Sequence, residues 1–385
     1  MWVVKMKKTL NYATKTSLGA SSKDELENAD QSDEMLVEKL TIIVTTSPIK
    51  SNPSTELLQN TFDTFKLAGE EFAFHCKKII VCDGFRRRDN NVTQKHANPK
   101  QAMRNGIVDF DQAENYIQFK QALKDLIEAE SNGKQKSVFH NTEVMELEER
   151  HGYGFALKRA LNAVSTPYVC VIQHDRTFMR QTPVKEVVNS MILNPGRVKY
   201  VGISMRSNLM YRDIFLSKYG KAALNELEEM SLYLPSLALC GEIYGEGGSS
   251  AASVTGRSEK VNKSILALKK TYFGSYQGRM QTREVGPGKV QLSLTPTLFW
   301  YDNTHICDTA HYRDFVFDPR LKMVARGGFV EDKLSPNILK AVERRGLTMG
   351  HSRYGCYLLD DHSGVYFTGH LDGGNFLTKA EKDAF

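Results

Sequence analysis

The chain lacks several features that would place it in a class at once. None of its six cysteines forms a Cys-x-x-Cys pair, so a zinc site or a disulfide framework has little support. No apolar run approaches the ~18 residues of a membrane-spanning helix, so we expect no integral membrane segment. The net charge of +6 comes without a long Lys/Arg tract, so we expect no nucleic-acid partner. The remaining class is a globular protein, and 385 residues suffice for one large α/β domain.

The first 38 residues differ in composition from the rest of the chain. Lys5 interrupts a short apolar start, and residues 21–38 are polar and acidic. The start is too short for a secretory signal, and a polar, charged composition is typical of disorder. We therefore expect a disordered leader over residues 1–38, and whether it is also a targeting segment stays open. The compartment is open too: a soluble, cytoplasmic protein is the default expectation, and the lumen of the secretory pathway is the alternative.

Alternating strand and helix patterns predict an open α/β sheet. The segment Leu40–Val44 indicates a buried strand, a helical pattern with Leu57 and Phe62 on one face follows, and "KKIIVC" indicates a second strand. This order is typical of a βαβ unit, in which ligands bind beyond the carboxyl ends of the strands. Further helix–strand pairs lead to "YVCVIQHD" and "VKYVGI". We predict a mostly parallel sheet flanked by helices, with a small antiparallel C-terminal portion, in a single domain over residues 39–385.

Acidic residues stand where these strands and one helix are predicted to end or begin. Asp83 follows the second strand, Asp175 follows "YVCVIQH", and Glu331 and Asp332 come between a Gly-Gly turn and a helical pattern closed by Gly346. Because the carboxyl ends of parallel strands share one edge of a sheet, we expect Asp83 and Asp175 to line a ligand crevice. The structural alternative is that the acids cap turns or, at residues 331–332, a helix start.

The order of these segments resembles the GT-A-fold glycosyltransferases that use nucleotide sugars, most closely the inverting family 2. The resemblance covers roughly residues 40–370 and rests on "IIVTTSP", "VCDGF", "ALKRALNAVSTPYVCVIQHD" and "GGFVEDKL". It implies a GT-A-like (Rossmann-like) fold with a nucleotide-binding half over 39–205 and an acceptor and catalytic half over 206–385. The implied activity is transfer of a hexosyl or pentosyl group, with inversion, to a hydroxyl of a carbohydrate or glycoconjugate.

The resemblance also implies where the donor would bind. The nucleotide sugar would contact the first two strand ends, the basic helix and the tip of the strand at Asp175. The candidate residues are Thr45, Thr46, Ser47, Asp83, Lys158, Arg159, His174, Asp175 and Arg176.

One motif departs from the family. Gln173-His174-Asp175 stands in place of Asp-x-Asp. Mn²⁺ or Mg²⁺ on a diphosphate prefers hard oxygen ligands, and Gln173 offers only a neutral carbonyl oxygen. We expect Asp175 to be the metal ligand, with His370 as its partner and His351 as the competitor. Arg176 could neutralise phosphate instead of an ion, so a metal-independent enzyme stays an open alternative.

The resemblance assigns the chemistry to the "GGFVEDKL" segment. Inverting transfer needs a carboxylate that takes the proton of the attacking hydroxyl, and Asp332 would serve, supported by Glu331. Trp300, Asp302 and His305 would line the acceptor pocket, although Trp300 in "LFW" also fits a core position.

Two other functions stay open at this point. One is a catalytically inactive GT-A-like protein that binds a carbohydrate or a nucleotide. The other is a sugar-nucleotide nucleotidyltransferase, which is disfavoured because "VTTSPIKSNPS" after the first strand contains no glycine to cradle phosphates.

Overall fold

The chain has an α/β fold built on one large, mostly parallel sheet, as predicted. The computed structural model describes residues 35–88, 106–133, 136–205, 208, 211–234, 239–240, 284–286, 289–290, 292–360, 366–371 and 373–383. Its strands are β1 (Leu40–Thr46), β2 (Lys77–Cys82), β3 (Arg86–Arg87), β4 (Ile107–Val108), β5 (Thr142–Glu146), β6 (Tyr168–Gln173), β7 (Arg176–Phe178), β8 (Tyr200–Ile203), β9 (Leu232–Tyr233), β10 (Leu239–Cys240), β11 (Glu284–Gly286), β12 (Lys289–Val290), β13 (Ser293–Pro296), β14 (His305–Asp308), β15 (Cys356–Asp360) and β16 (Thr368–His370).

Nine of these strands form one sheet, in the order β5–β2–β1–β6–β14–β8–β15–β13–β9. All of them run in the same direction except β13 and β14. The short strand β7 leaves the tip of β6 and pairs antiparallel with β16. The mostly parallel sheet with C-terminal antiparallel strands confirms the predicted fold class.

The helices cover both faces of this sheet. They are α1 (Leu36–Lys39), α2 (Glu56–Asp63), α3 (Phe110–Asn132), α4 (Tyr153–Leu161), α5 (Val184–Leu193), α6 (Tyr211–Tyr219), α7 (Lys221–Glu229), α8 (Glu331–Arg345), α9 (Leu347–Ser352) and α10 (Lys379–Asp383). Among the helices in the described ranges, none has the length and apolarity needed to cross a membrane. The predicted leader lies almost wholly in residues 1–34, outside the described residues.

The central strands β1 and β6 carry apolar runs because both of their faces are buried. Ile42 packs with the Phe62 side of α2, whereas its neighbour Ile43 packs with Leu157 of α4 on the other face. A strand covered on both faces reads as a continuous apolar run rather than as an alternation. The result is three layers, with the carboxyl ends of β1, β2 and β6 at one edge.

Candidate functional site

A cleft of about 160 Å³ opens at the carboxyl ends of β1, β2 and β6. Five of the residues predicted to contact the donor line it. They are Thr45, Thr46, Ser47, Asp83 and His174. The opposite wall is formed by Tyr153 at the start of α4 and by Gly327 and Phe329, which lead into α8. The cleft therefore joins the predicted donor residues to the segment that carries Glu331 and Asp332.

Two glycines allow the walls of the cleft to meet. Gly152 and Gly327 both have left-handed backbones, with φ of 75° and 76°. A Cβ atom on Gly152 would lie 2.5 Å from the Cα atom of Gly327, so no larger residue fits there without movement. Next to this crossing, the Gly154 N–H donates to the Gly328 carbonyl at 3.2 Å. The close approach places the start of α8 beside the start of α4.

Asp83 is held rigidly at one end of the cleft. Its Oδ1 accepts from the His151 N–H at 2.8 Å and its Oδ2 from the Gly152 N–H at 2.9 Å. Asp83 therefore caps the turn at residues 151–152, which is the structural role that the sequence left open for it. Each oxygen retains a second lone pair, and the Arg150 guanidinium lies 3.8 Å from Oδ2. Asp83 thus supports the cleft and can still accept a hydrogen bond from a ligand.

Asp175 and His370, the two residues predicted to bind one metal ion, are in direct contact. The His370 Nε2 is 2.9 Å from the Asp175 Oδ2, and the Gly373 N–H donates to the same oxygen at 3.0 Å. Burial alone would raise the pKa of Asp175, but the hydrogen bonds from His370 and Gly373 hold it well below its usual value. Asp175 is therefore a carboxylate at neutral pH.

The arrangement of Asp175 and His370 can be compared with the needs of a divalent metal ion. Across the described part of the chain, no group of three or more His, Cys, Asp or Glu side chains is arranged to hold an ion. Asp175 nevertheless has a buried Oδ1 with no hydrogen-bond partner, 3.9 Å from the Arg176 Nε. A carboxylate oxygen suits Mg²⁺ or Mn²⁺. The residues fit an ion that takes Asp175 and His370 from the protein and its remaining ligands from phosphate oxygens.

His351 is unsuited to this role. Its ring is buried, and its Nε2 lies 2.6 Å from the Cys356 carbonyl, which can only accept a hydrogen bond. Burial lowers the pKa of His351 to about 4. The competitor to His370 is a neutral histidine of the core.

Two of the three predicted acceptor residues also belong to the core. Trp300 is 1% exposed and its ring stacks at a tilt on Tyr200, with centroids 4.1 Å apart. His305 is fully buried at 5.0 Å from the same tyrosine ring. Neither side chain reaches the cleft, which corrects the expectation that they line an acceptor pocket. For Trp300, the structure has the core position that the sequence left as an alternative.

Asp302 is buried as well, but it contacts the predicted catalytic segment. Its Oδ2 accepts from the Glu331 N–H at 2.9 Å, and its own N–H donates to the Glu331 Oε2 at 3.0 Å. Its Oδ1 accepts from the Trp300 Nε1 at 3.2 Å. Asp302 therefore fixes the start of α8 instead of facing an acceptor.

Glu331 and Asp332 differ in what they can do. Glu331 is partly buried and bonded to Asp302, which suits a supporting role. Asp332 is exposed in the first turn of α8, and its Oδ2 accepts from the Phe329 N–H at 3.1 Å. Since Phe329 lines the cleft, Asp332 lies next to it with one oxygen in a fixed position and the other open.

The predicted basic residues lie beside the cleft rather than in it. Lys158 lies against Phe317, with its Nζ 3.4 Å from that carbonyl, and Arg159 donates to the His151 ring at 3.3 Å. The Arg176 Nη1 contacts the Met205 sulfur at 3.6 Å.

The guanidinium that does line the cleft belongs to Arg150, which the sequence did not predict. Its local signal is in "ERHGYG", where Arg150 stands two residues before Gly152 and three before the start of α4.

The burial of Asp302 predicts a pH-dependent stability. Burial raises the pKa of Asp302 from 3.8 to about 8, so the folded chain keeps a proton that the unfolded chain loses. The bound proton stabilises the folded chain relative to the unfolded chain. This contribution to the free energy of unfolding is complete below about pH 4 and is lost as the pH rises towards 8. We expect the free energy of unfolding of wild type, measured in urea, to fall relative to that of Asp302→Asn between pH 5 and pH 9. An exposed-site control, Asp111→Asn, should run parallel to wild type, and parallel curves for both variants would refute a protonated Asp302.

The comparisons with known proteins give distant matches only. No family model and no curated protein matches the sequence. The similar solved structures include S. aureus TarS, at 13% identity over 44% of this chain and 22% of that one, with a TM-score of 0.26. They also include the mannosyltransferase PcManGT from Pyrobaculum calidifontis with GDP-Man and Mn²⁺, at 15% identity over 45% and 37%, with a TM-score of 0.25. A CMP:2-keto-3-deoxy-manno-octonic acid synthetase with CTP aligns at 9% identity over 46% and 57%, with a TM-score of 0.25.

The first two of these proteins are glycosyltransferases of the GT-A type, the class that the sequence resembles. The chain spans less than two thirds of each of these structures. The sheet topology shows the α/β fold class independently of these structures.

Proposed function

We propose that the chain is an inverting glycosyltransferase that moves a sugar from a nucleotide-diphosphate sugar to an acceptor hydroxyl. One observation carries the proposal: a single cleft joins the ends of β1, β2 and β6 to the loop that begins α8. The crevice at the carboxyl ends of the strands is where open α/β sheets bind nucleotides. The same loop leads to a carboxylate, Asp332, whose Oδ2 accepts from the N–H of the cleft residue Phe329.

The nucleotide would occupy the cleft itself. Thr46 and His174 are joined by a hydrogen bond of 2.8 Å between Oγ1 and Nδ1, so both side chains are oriented before a ligand arrives. Burial lowers the pKa of His174, so its ring is neutral and offers a donor or an acceptor without charge. Asp83 and Arg150 provide an acceptor and a donor for polar atoms of the base or the ribose.

The diphosphate would lie next to Asp175 and His370. A divalent ion, when bound there, would neutralise the phosphates and stabilise the departing nucleotide. The backbone at Gly373 packs closely on these residues: a Cβ atom on Gly373 would lie 2.9 Å from the His174 Nε2 and 3.1 Å from the Asp175 Oδ2. Strand pairing of β16 with β7 places His370 opposite Arg176, which adds a guanidinium at this end.

The reaction would take place at the mouth of the cleft. The acceptor oxygen forms a bond to the anomeric carbon from the face opposite the diphosphate, the bond to the phosphate oxygen breaks, and the proton of the hydroxyl moves to Asp332. Asp332 stands in the first turn of α8, where its Oδ2 is fixed by the Phe329 N–H. Glu331 holds the helix start in place through Asp302.

A thermal-shift panel of UDP-, GDP-, CMP- and ADP-sugars, with and without Mn²⁺, tests the donor site. A donor at ~100 times its dissociation constant should add ~2.7 kcal/mol, which is a shift of a few degrees for a protein of this size. We expect a shift with one nucleotide class in wild type and none in Asp175→Ala. No shift with any donor in the presence of Mn²⁺ would contradict the proposal and favour a carbohydrate-binding protein.

A matched pair of histidine variants tests the metal ligands. His370→Ala should weaken Mn²⁺ binding by about tenfold or more, since even partners outside the ligand shell cost about 10–100-fold. The exposed residue His75 provides the control His75→Ala. Titrating Mn²⁺ against the nucleotide-dependent shift measures both variants, and equal Mn²⁺ dependence in the two would remove His370 from the site.

A further inference from the structure

Gln173, at the tip of β6, makes a hydrogen bond that a carboxylate could not make. Its Nε2 donates to the backbone carbonyl of Asp302 at 2.7 Å. A carbonyl oxygen only accepts, so the group that faces it must be the amide nitrogen. The contact joins β6 to the turn that precedes β14.

The same turn is joined to α8. Asp302 and Glu331 exchange two hydrogen bonds, each between the backbone N–H of one residue and the side-chain carboxyl of the other. Asp302 is 3% exposed, so these bonds are shielded from water and a broken one would be costly. The three bonds form one continuous connection from Gln173 through Asp302 to Glu331.

We propose that Gln173 is a positioning residue that couples the strand tip bearing Asp175 to the helix bearing Asp332. Gln173 stands two residues before Asp175, and Glu331 stands one residue before Asp332. Movement of the donor end of the cleft is thereby transmitted to the general base. This deepens the proposed function, because the role of Asp332 as the base belongs to that function, whereas the mechanical link to α8 stands on the three hydrogen bonds alone.

The coupling explains why an amide occupies this position. A glutamate or an aspartate at 173 would bring a negative oxygen towards the Asp302 carbonyl oxygen and repel it. An aspartate is also shorter by one methylene group, so it could not span the same distance. The amide at 173 is thus a structural requirement of this chain and not a weakened metal ligand.

Three variants test the link. Gln173→Glu keeps the length and removes the donor, Gln173→Asp restores an Asp-x-Asp sequence, and Gln181→Glu is an exposed control for the same chemical change. Amide hydrogen exchange is measured over residues 331–335 and, as an internal reference, over β1 and β2. We expect exchange at 331–335 to rise by about five- to tenfold in both Gln173 variants, the loss of one buried hydrogen bond, with the reference strands and the control unchanged.

Kinetics with the donor that gives a shift in the panel provide the second readout. Turnover (kcat) should fall by about tenfold in Gln173→Glu. Because Gln173 also lines the cleft and the glutamate adds a negative charge there, the donor KM should rise as well, but by a smaller factor than kcat falls. Unchanged exchange at 331–335 would overturn the coupling, as would a Gln173→Asp variant with tighter Mn²⁺ binding and higher turnover. If wild type binds no donor, the proposed function fails, but the exchange measurement still decides whether Gln173 holds α8.

Discussion

Asp332→Asn is expected to lower the rate of sugar transfer by ~10²–10⁴ while donor binding stays intact. The amide cannot take the proton of the acceptor hydroxyl at neutral pH. Its oxygen can still accept from the Phe329 N–H, which the Asp332 Oδ2 now does at 3.1 Å, so the loop should keep its conformation. The rate is measured as nucleotide released from the active donor, and donor binding as the thermal shift.

A neighbouring acid provides the control for this prediction. Glu343 lies further along α8, and Glu343→Gln removes one negative charge from the same helix. It should transfer sugar at nearly the wild-type rate. Equal losses in the two variants would point to the charge of the helix, and an active Asp332→Asn would remove Asp332 as the base.

Trp300→Ala is expected to destabilise the fold by about 3–5 kcal/mol, the usual range for an aromatic residue removed from a core. The indole ring contacts Tyr200, His305 and Tyr312, with centroid distances of 4.1, 5.5 and 5.0 Å. Its Nε1 also donates to Asp302, so truncation leaves that buried carboxyl with one partner fewer. Urea unfolding, followed by circular dichroism, measures the loss.

Phe329 is the contrasting aromatic residue. It is 44% exposed, lines the cleft and lies against Tyr153 at 5.1 Å between ring centroids. Phe329→Ala should change the free energy of unfolding by less than ~1 kcal/mol and weaken donor or acceptor binding. A Trp300→Ala variant that is as stable as wild type but loses transfer would restore Trp300 to the acceptor pocket.

The central strands and the helix α8 could be predicted because their signals are local. β1 and β6 contain the apolar runs 42–44 and 168–172, and such runs identify a strand covered on both faces. The helical pattern closed by Gly346 predicts α8, which spans Glu331–Arg345 and ends at Gly346 in the left-handed region at φ 80°. In each case neighbouring residues carry the information.

The acceptor residues could not be placed from sequence because their environment is not local. Trp300 and His305 flank a turn between β13 and β14, and their burial depends on Tyr200 from β8 and Tyr312 from the following segment. The two histidine candidates show the same limit. His370 reaches Asp175 across 195 residues of sequence through the pairing of β16 with β7, whereas His351 packs into the core.

A crystal structure with the nucleotide diphosphate that gives the largest thermal shift, together with Mn²⁺, would show where the donor binds. We expect the base between Thr46 and Asp83, the diphosphate beside Asp175 and His370, and Asp332 facing the anomeric carbon of the sugar. The chain also has a cavity of about 420 Å³ lined by Phe72, Pro183 and Lys185. A nucleotide bound there, with the cleft at β1, β2 and β6 empty, would rule out the proposed donor site.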